Sequence, residues 1–77
     1  MVRIQFEFPE ERVKELEALM RETNIATRRD LFNNALTLFE WALHERKTGR
    51  TIASVDEENK KYKELVMPAL SAVAPKP

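Results

Sequence analysis

The side chains with the clearest recognition chemistry lie at the N-terminus. Residues 2 to 8 read Val-Arg-Ile-Gln-Phe-Glu-Phe. In an extended segment this alternation puts Arg3, Gln5 and Glu7 on one side and Val2, Ile4, Phe6 and Phe8 on the other. Arg3 can donate two bonds to O6 and N7 of guanine, and Gln5 can pair with N6 and N7 of adenine. Glu7 can accept from N4 of cytosine, and each good bidentate pair discriminates by about 1 to 3 kcal/mol. Arg3 and Glu7 cancel in charge, so this face can read a base edge but adds no net attraction to a polyanion. A second group, Thr27-Arg28-Arg29-Asp30, has the pattern of a helix start. There the free backbone N–H groups, the helix dipole and two guanidinium groups converge on one anion, such as a phosphate.

Other chemistries lack their residues. The chain has no Cys and a single His, His44. A structural zinc site takes four N or S ligands, so the sequence predicts no metal site. With one Gly there is no glycine-rich phosphate loop. The acids Glu10, Glu11, Glu15, Glu17 and Glu22 are spread around their helix without a nucleophile or metal-type partner, which reads as a solvated face. Catalysis and a cofactor are not expected.

The elements that must position Arg3, Gln5, Glu7 and Thr27 to Arg29 follow from periodicity. Residues 2 to 8 read as a half-buried strand. Pro9 keeps Phe8 extended, and Glu10 and Glu11 suit the positive end of a helix dipole, so a helix should start near Pro9. Val13, Leu16, Leu19 and Met20 fall in a sector of about 120°, with Glu10 to Lys14 and Glu17 to Arg21 as i,i+4 pairs outside it. Asn24 tolerates a left-handed C-cap, so this helix should end around Glu22 to Asn24. The second helix should begin near Thr27 and stop at Lys47 to Gly49. Its apolar residues, from Leu31 to Leu43, cover about 160°, more than the roughly 100° a surface helix needs, so it must pack on two surfaces. Trp41 lies outside that arc, either half exposed or covered by something downstream. Beyond Gly49, the runs 51 to 55 and 62 to 67 around a polar turn suggest a hairpin, with a short helix from Asp56 as the rival reading. From Pro68 on a frayed tail is expected.

Size and charge set the partners. The chain has 77 residues, 43% apolar, with 13 basic and 13 acidic side chains cancelling to zero. One domain of this length buries only about 60% of its unfolded surface and needs a staple. Without disulfide or metal, that staple is a second copy. No stretch approaches the roughly 20 apolar residues of a membrane span, and no export signal is visible, so the expected location is the cytoplasm. Neutrality argues against nucleic acid at first sight. A lone strand cannot satisfy its own backbone, however, and the economical answer is antiparallel pairing with the strand of a second copy. Such a two-stranded ribbon would fit the B-DNA major groove.

In order and length, strand, helix, turn and helix over residues 2 to 46 resemble the ribbon-helix-helix (Arc/MetJ/CopG-type) repressors. The resemblance is carried by Arg3-Ile4-Gln5-Phe6-Glu7-Phe8, Pro9-Glu10-Glu11, Thr27-Arg28-Arg29-Asp30-Leu31 and Asn34-Ala35-Leu36. It implies a mainly α fold with one N-terminal strand, an intertwined homodimer and an intermolecular antiparallel β-ribbon. It also implies base contacts from Arg3, Gln5 and Glu7 and phosphate contacts from Thr27, Arg28 and Arg29. Two positions depart from the pattern: Asn24 replaces the usual Gly of the interhelical turn, and Glu7 is acidic. The expected organisation is a dimerising, DNA-binding region 1–49, an extension 50–67 and a flexible tail 68–77. The function expected is a homodimeric, sequence-specific DNA-binding repressor. The alternative is an antitoxin or interaction module whose C-terminal segment binds a partner protein such as a toxin.

Overall fold

The computed structural model describes residues 1–73. Two helices come first, α1 (Glu10–Thr23) and α2 (Arg28–Lys47), then strands β1 (Ala53–Asp56) and β2 (Lys61–Glu64) and a single-turn helix α3 (Pro68–Ser71). The chain divides into two compact units, Met1–Asn34 and Ala35–Pro77.

In the first unit, Pro9 supplies the N-cap of α1, its carbonyl accepting from the N–H groups of Arg12 and Val13. Glu10 and Glu11 occupy the first turn, where the dipole favours acids. The i,i+4 pairs expected on this helix give way to an i,i+3 pair, Arg12 with Glu15. Asn24 ends α1 in the left-handed region, φ 56°, and donates to the Arg21 carbonyl, while the Ile25 N–H reaches Met20 at 2.9 Å. These two bonds form the Schellman closure, with Asn in the place glycine usually takes. Val13, Leu16, Met20, Ile25 and Leu31 are half-buried, and no described residue of this unit is fully buried.

In the second unit, α2 ends the same way. Gly49 at φ 86° donates to Arg46, and the Arg50 N–H reaches Glu45 at 3.0 Å. The strands β1 and β2 pair antiparallel with Val55 opposite Tyr62 and Asp56 opposite Lys61. The hairpin reading of this region therefore holds and the rival helix does not form. The turn closes through Asp56, whose carboxylate accepts from the Asn59 N–H at 3.2 Å and the Asn59 side-chain amide at 2.9 Å. Where a frayed tail was expected, Pro68 opens the turn of α3 and Leu70 is buried; residues 74–77 of that tail lie outside the described residues. Ala42 and Leu70 are the two buried apolar residues among those described.

The expected N-terminal strand is not formed. Residues 1–9 carry no strand, the first element is the helix α1, and the sheet consists of the C-terminal hairpin. The mainly α ribbon-helix-helix fold with an intermolecular ribbon is thereby corrected to a mixed α/β arrangement: two helices, an antiparallel hairpin and a short helix. The physical reason is pairing. Alternation sets which side chains share a face, but a strand also needs partners for its N–H and C=O groups. The strands β1 and β2 pair with each other, and neither pairs with residues 2 to 8, so in the single chain that segment has no ladder partner. The apolar side of the N-terminal arm is used differently, through ring packing of Phe6.

Candidate nucleic-acid interface

The arm is tied to the start of α2 by aromatic contacts. The Phe6 ring lies 6.1 Å from Phe8 and 5.6 Å from Phe32, both in tilted arrangements within the favourable range for aromatic pairs. Phe32 stands in the second turn of α2, so this contact holds the segment bearing Arg3, Gln5 and Glu7 to the unit that contains the α2 N-terminus. Arg3, Gln5 and Glu7 are exposed, and no hydrogen bond or ion pair engages their side chains among the described residues.

At the helix start the expected cap is present. The Thr27 hydroxyl oxygen accepts from the Asp30 N–H at 3.1 Å, and the Thr27 carbonyl accepts from Leu31. The Thr27 O–H remains able to donate. Arg28 is not a free cation: its guanidinium reaches Glu17 of α1 at 3.4 Å, with the two side chains 68% and 47% exposed. Arg29 is exposed and has no ion-pair partner among the described residues. The first unit therefore holds all six predicted contact residues, Arg3, Gln5, Glu7, Thr27, Arg28 and Arg29.

Two participants were missed from the sequence. Glu17, read as part of a solvated face, is the partner of Arg28, a pairing across the interhelical turn that no helical spacing encodes. Phe32, read only as core, is the anchor of the arm; alternation and helical period each describe one element and do not say which element meets which. His44 is exposed, and no cluster of three His, Cys, Asp or Glu able to hold a metal ion occurs among the described residues. Trp41 remains 50% exposed.

The hairpin adds a second polar surface. Alternation puts Ser54 and Asp56 of β1 with Lys61 and Lys63 of β2 on one face, around a half-open cleft of about 240 Å³. Val55, Tyr62 and Glu64 fall on the other face. Asp56 is held below the usual carboxylate range, chiefly by the Asn59 side-chain amide and then by the Asn59 backbone N–H. No helix among the described residues is long and apolar enough to cross a membrane. Comparisons of the chain with protein-family models, with curated proteins and with solved structures each return no match.

Proposed function

We propose that the chain is a homodimeric, sequence-specific DNA-binding protein that represses transcription by occupying an operator in the cytoplasm. The observation that carries this reading is the Phe6 to Phe32 contact at 5.6 Å. It ties an arm of base-reading side chains to the helix whose start carries Thr27, Arg28 and Arg29. Arg3, Gln5 and Glu7 contact base edges in the major groove, while Thr27, Arg28, Arg29 and the N-terminal N–H groups of α2 hold a phosphate.

The energetics are compatible with this division of labour. Releasing Arg28 from Glu17 costs little, because exposed ion pairs contribute only about 0 to 1 kcal/mol. A phosphate at the helix start gains both the guanidinium and the dipole. The second copy is supported by the lack of a core. With Ala42 and Leu70 the two buried apolar residues described, and Ile4, Phe6, Leu38 and Trp41 all at least half exposed, a single chain has little apolar burial to offset its chain entropy.

The test is a duplex titration with single variants. Arg3→Ala and Gln5→Ala should relax sequence preference, and Arg28→Ala should weaken binding to all sequences and flatten the salt dependence. Equal loss of preference in all three would contradict the division of labour.

A second reading has one observation in its favour. Val55, Tyr62 and Val66 are 64%, 62% and 80% exposed, an apolar surface on the C-terminal extension that a partner protein such as a toxin would cover. Co-purification with the product of the neighbouring gene, abolished by Tyr62→Ala and Val66→Asp, would support it; unchanged co-purification would remove the extension from that role.

A further inference from the structure

We propose that β1 joins edge to edge with β1 of a second copy, antiparallel about a two-fold axis through Ser54, so that two hairpins form one four-stranded sheet. This rests on the homodimer in the reading above and names the surface that holds its two copies together; residues 2 to 8 take no part in it.

The register shows which backbone groups are free. Leu65 donates to the Ile52 carbonyl at 2.7 Å, so Ile52 and Leu65 are a bonded pair. Alternation along the ladder then makes Ser54 with Lys63 and Asp56 with Lys61 the bonded pairs inside the hairpin. Ala53 and Val55 on β1, like Tyr62 and Glu64 on β2, therefore turn their N–H and C=O groups outward. Among the described residues no backbone hydrogen bond engages Ala53 or Val55 on that side, and every residue of both strands is exposed. A two-stranded hairpin is marginal alone in water and gains independent stability from further strands that share an apolar face.

The two edges differ in what they admit. A two-fold axis through any residue of β2 sets like charges opposite each other: Lys61 meets Lys61, Lys61 meets Lys63, Lys63 meets Lys63, or Glu64 meets Glu64. Such pairs are destabilising, and edge lysines are a common guard against strand addition. The β1 edge carries no charge before Asp56 at its end. About an axis through Ser54, Asp56 falls opposite Ile52 and no charged residue of β1 meets another.

In that register Ala53 of each copy exchanges N–H···O bonds with Val55 of the other. The two Ser54 side chains come face to face, where their hydroxyls can bond one another. Val55 and Tyr62, 64% and 62% exposed in the single chain, share a face with Ala53, and joining the hairpins makes them one apolar strip across the axis, flanked by Glu64. The interface is isologous and closed, since the outer edges of the joined sheet are the β2 edges that repel a further copy.

The test uses the full chain and two pairs of variants. Val55→Pro removes the outward N–H of β1 and keeps every bond between β1 and β2; Tyr62→Pro does the same on the β2 edge. Sedimentation should show the unaltered chain and Tyr62→Pro as dimers, and the dimer of Val55→Pro weakened about tenfold or more. The chain has no Cys, so single cysteines report position cleanly. Ser54→Cys should form an intermolecular disulfide under mild oxidation, because directly opposed residues of a non-bonded pair stand about 4.5 Å apart at Cα. Lys63→Cys should not, its mate lying roughly 14 Å away across three strand spacings. A Val55→Pro chain as dimeric as the unaltered one, or Ser54→Cys linking no faster than Lys63→Cys, would overturn the edge pairing and leave a homodimer built on another surface. Where both proline variants lose the dimer equally, the cysteine comparison decides. A folded monomer of the unaltered chain at micromolar concentration would remove the edge pairing and the homodimer together.

Discussion

Phe6 of the N-terminal arm and Phe32 of α2, twenty-six positions apart in sequence, meet with ring centroids 5.6 Å apart and planes tilted by 48°. The arm has no strand partner to hold it, so this contact, with Phe8 beside it, decides where Arg3, Gln5 and Glu7 are presented. Both rings remain partly exposed, at 59% and 41%, so the anchor is a modest one.

Removing the anchor should therefore uncouple the arm without unfolding the helices. Phe32→Ala is expected to cost about 1 to 2 kcal/mol of stability, counting the ring pair and part of its burial. Sequence preference in DNA binding should fall more than affinity for scrambled duplex. Denaturant unfolding and paired titrations check the two parts. Phe32→Leu, which keeps apolar area, should restore most of the stability; preference as strong in Phe32→Ala as in the unaltered chain would show that the arm is not positioned by this ring.

The left-handed closure of α1 gives a backbone prediction. Asn24 at φ 56° is the residue after glycine that best tolerates this region. Asn24→Ala should destabilise by about 1 kcal/mol, and Asn24→Gly should be neutral or slightly stabilising. Gly49→Ala at φ 86° should cost at least as much as Asn24→Ala. Thermal unfolding reads all three, with about 4 to 8 °C per kcal/mol for a domain of this size.

Thr27 caps α2 and is assigned a phosphate contact as well, and the two roles separate by substitution. Thr27→Ala removes the bond to the Asp30 N–H and should cost about 1 kcal/mol. Thr27→Ser keeps both the cap and the O–H. Thr27→Ala should also weaken binding to specific and scrambled duplex alike, whereas Thr27→Ser should leave both near their original values.

The hairpin should be sensitive to acid through Asp56. Its carboxyl is held below the ordinary value of 3.8, chiefly by the Asn59 side-chain amide. A folded pKa lowered in this way contributes stability that is fully present above the unfolded value and is lost as pH falls through the folded one. The Asn59 amide signal should therefore shift, and the hairpin loosen, below pH 3.8. Asp56→Ala should show a weaker turn at neutral pH and no such acid step.

The sequence and the structure agree best where the signal is local. Pro9 and Asn24 bound α1, Thr27 and Gly49 bound α2, and the polar turn between residues 55 and 62 marks the hairpin, because caps and turns are set by residues within a few positions. The N-terminal strand is misread for the opposite reason: alternation over residues 2 to 8 is a local pattern, but a strand is completed by a partner elsewhere. The helical turn at Pro68 carries a weak signal, since Ala and Ser suit tail and helix alike and only the burial of Leu70 decides between them. In the candidate interface the residue types are legible at Arg3, Gln5, Glu7 and Thr27 to Arg29. The Arg28 to Glu17 pair is not, because it joins two helices across a turn.

The proposed binding of a specific DNA sequence is the claim on which the other predictions about DNA depend. It is tested most directly by titrating the purified, unaltered chain into labelled duplex from upstream of its own gene at low salt, against a scrambled competitor, with the oligomeric state followed by sedimentation. The expected result is a folded dimer that binds the upstream duplex more tightly than the scrambled one, with affinity falling as salt rises. A folded chain that binds neither duplex, or binds both equally, would contradict it.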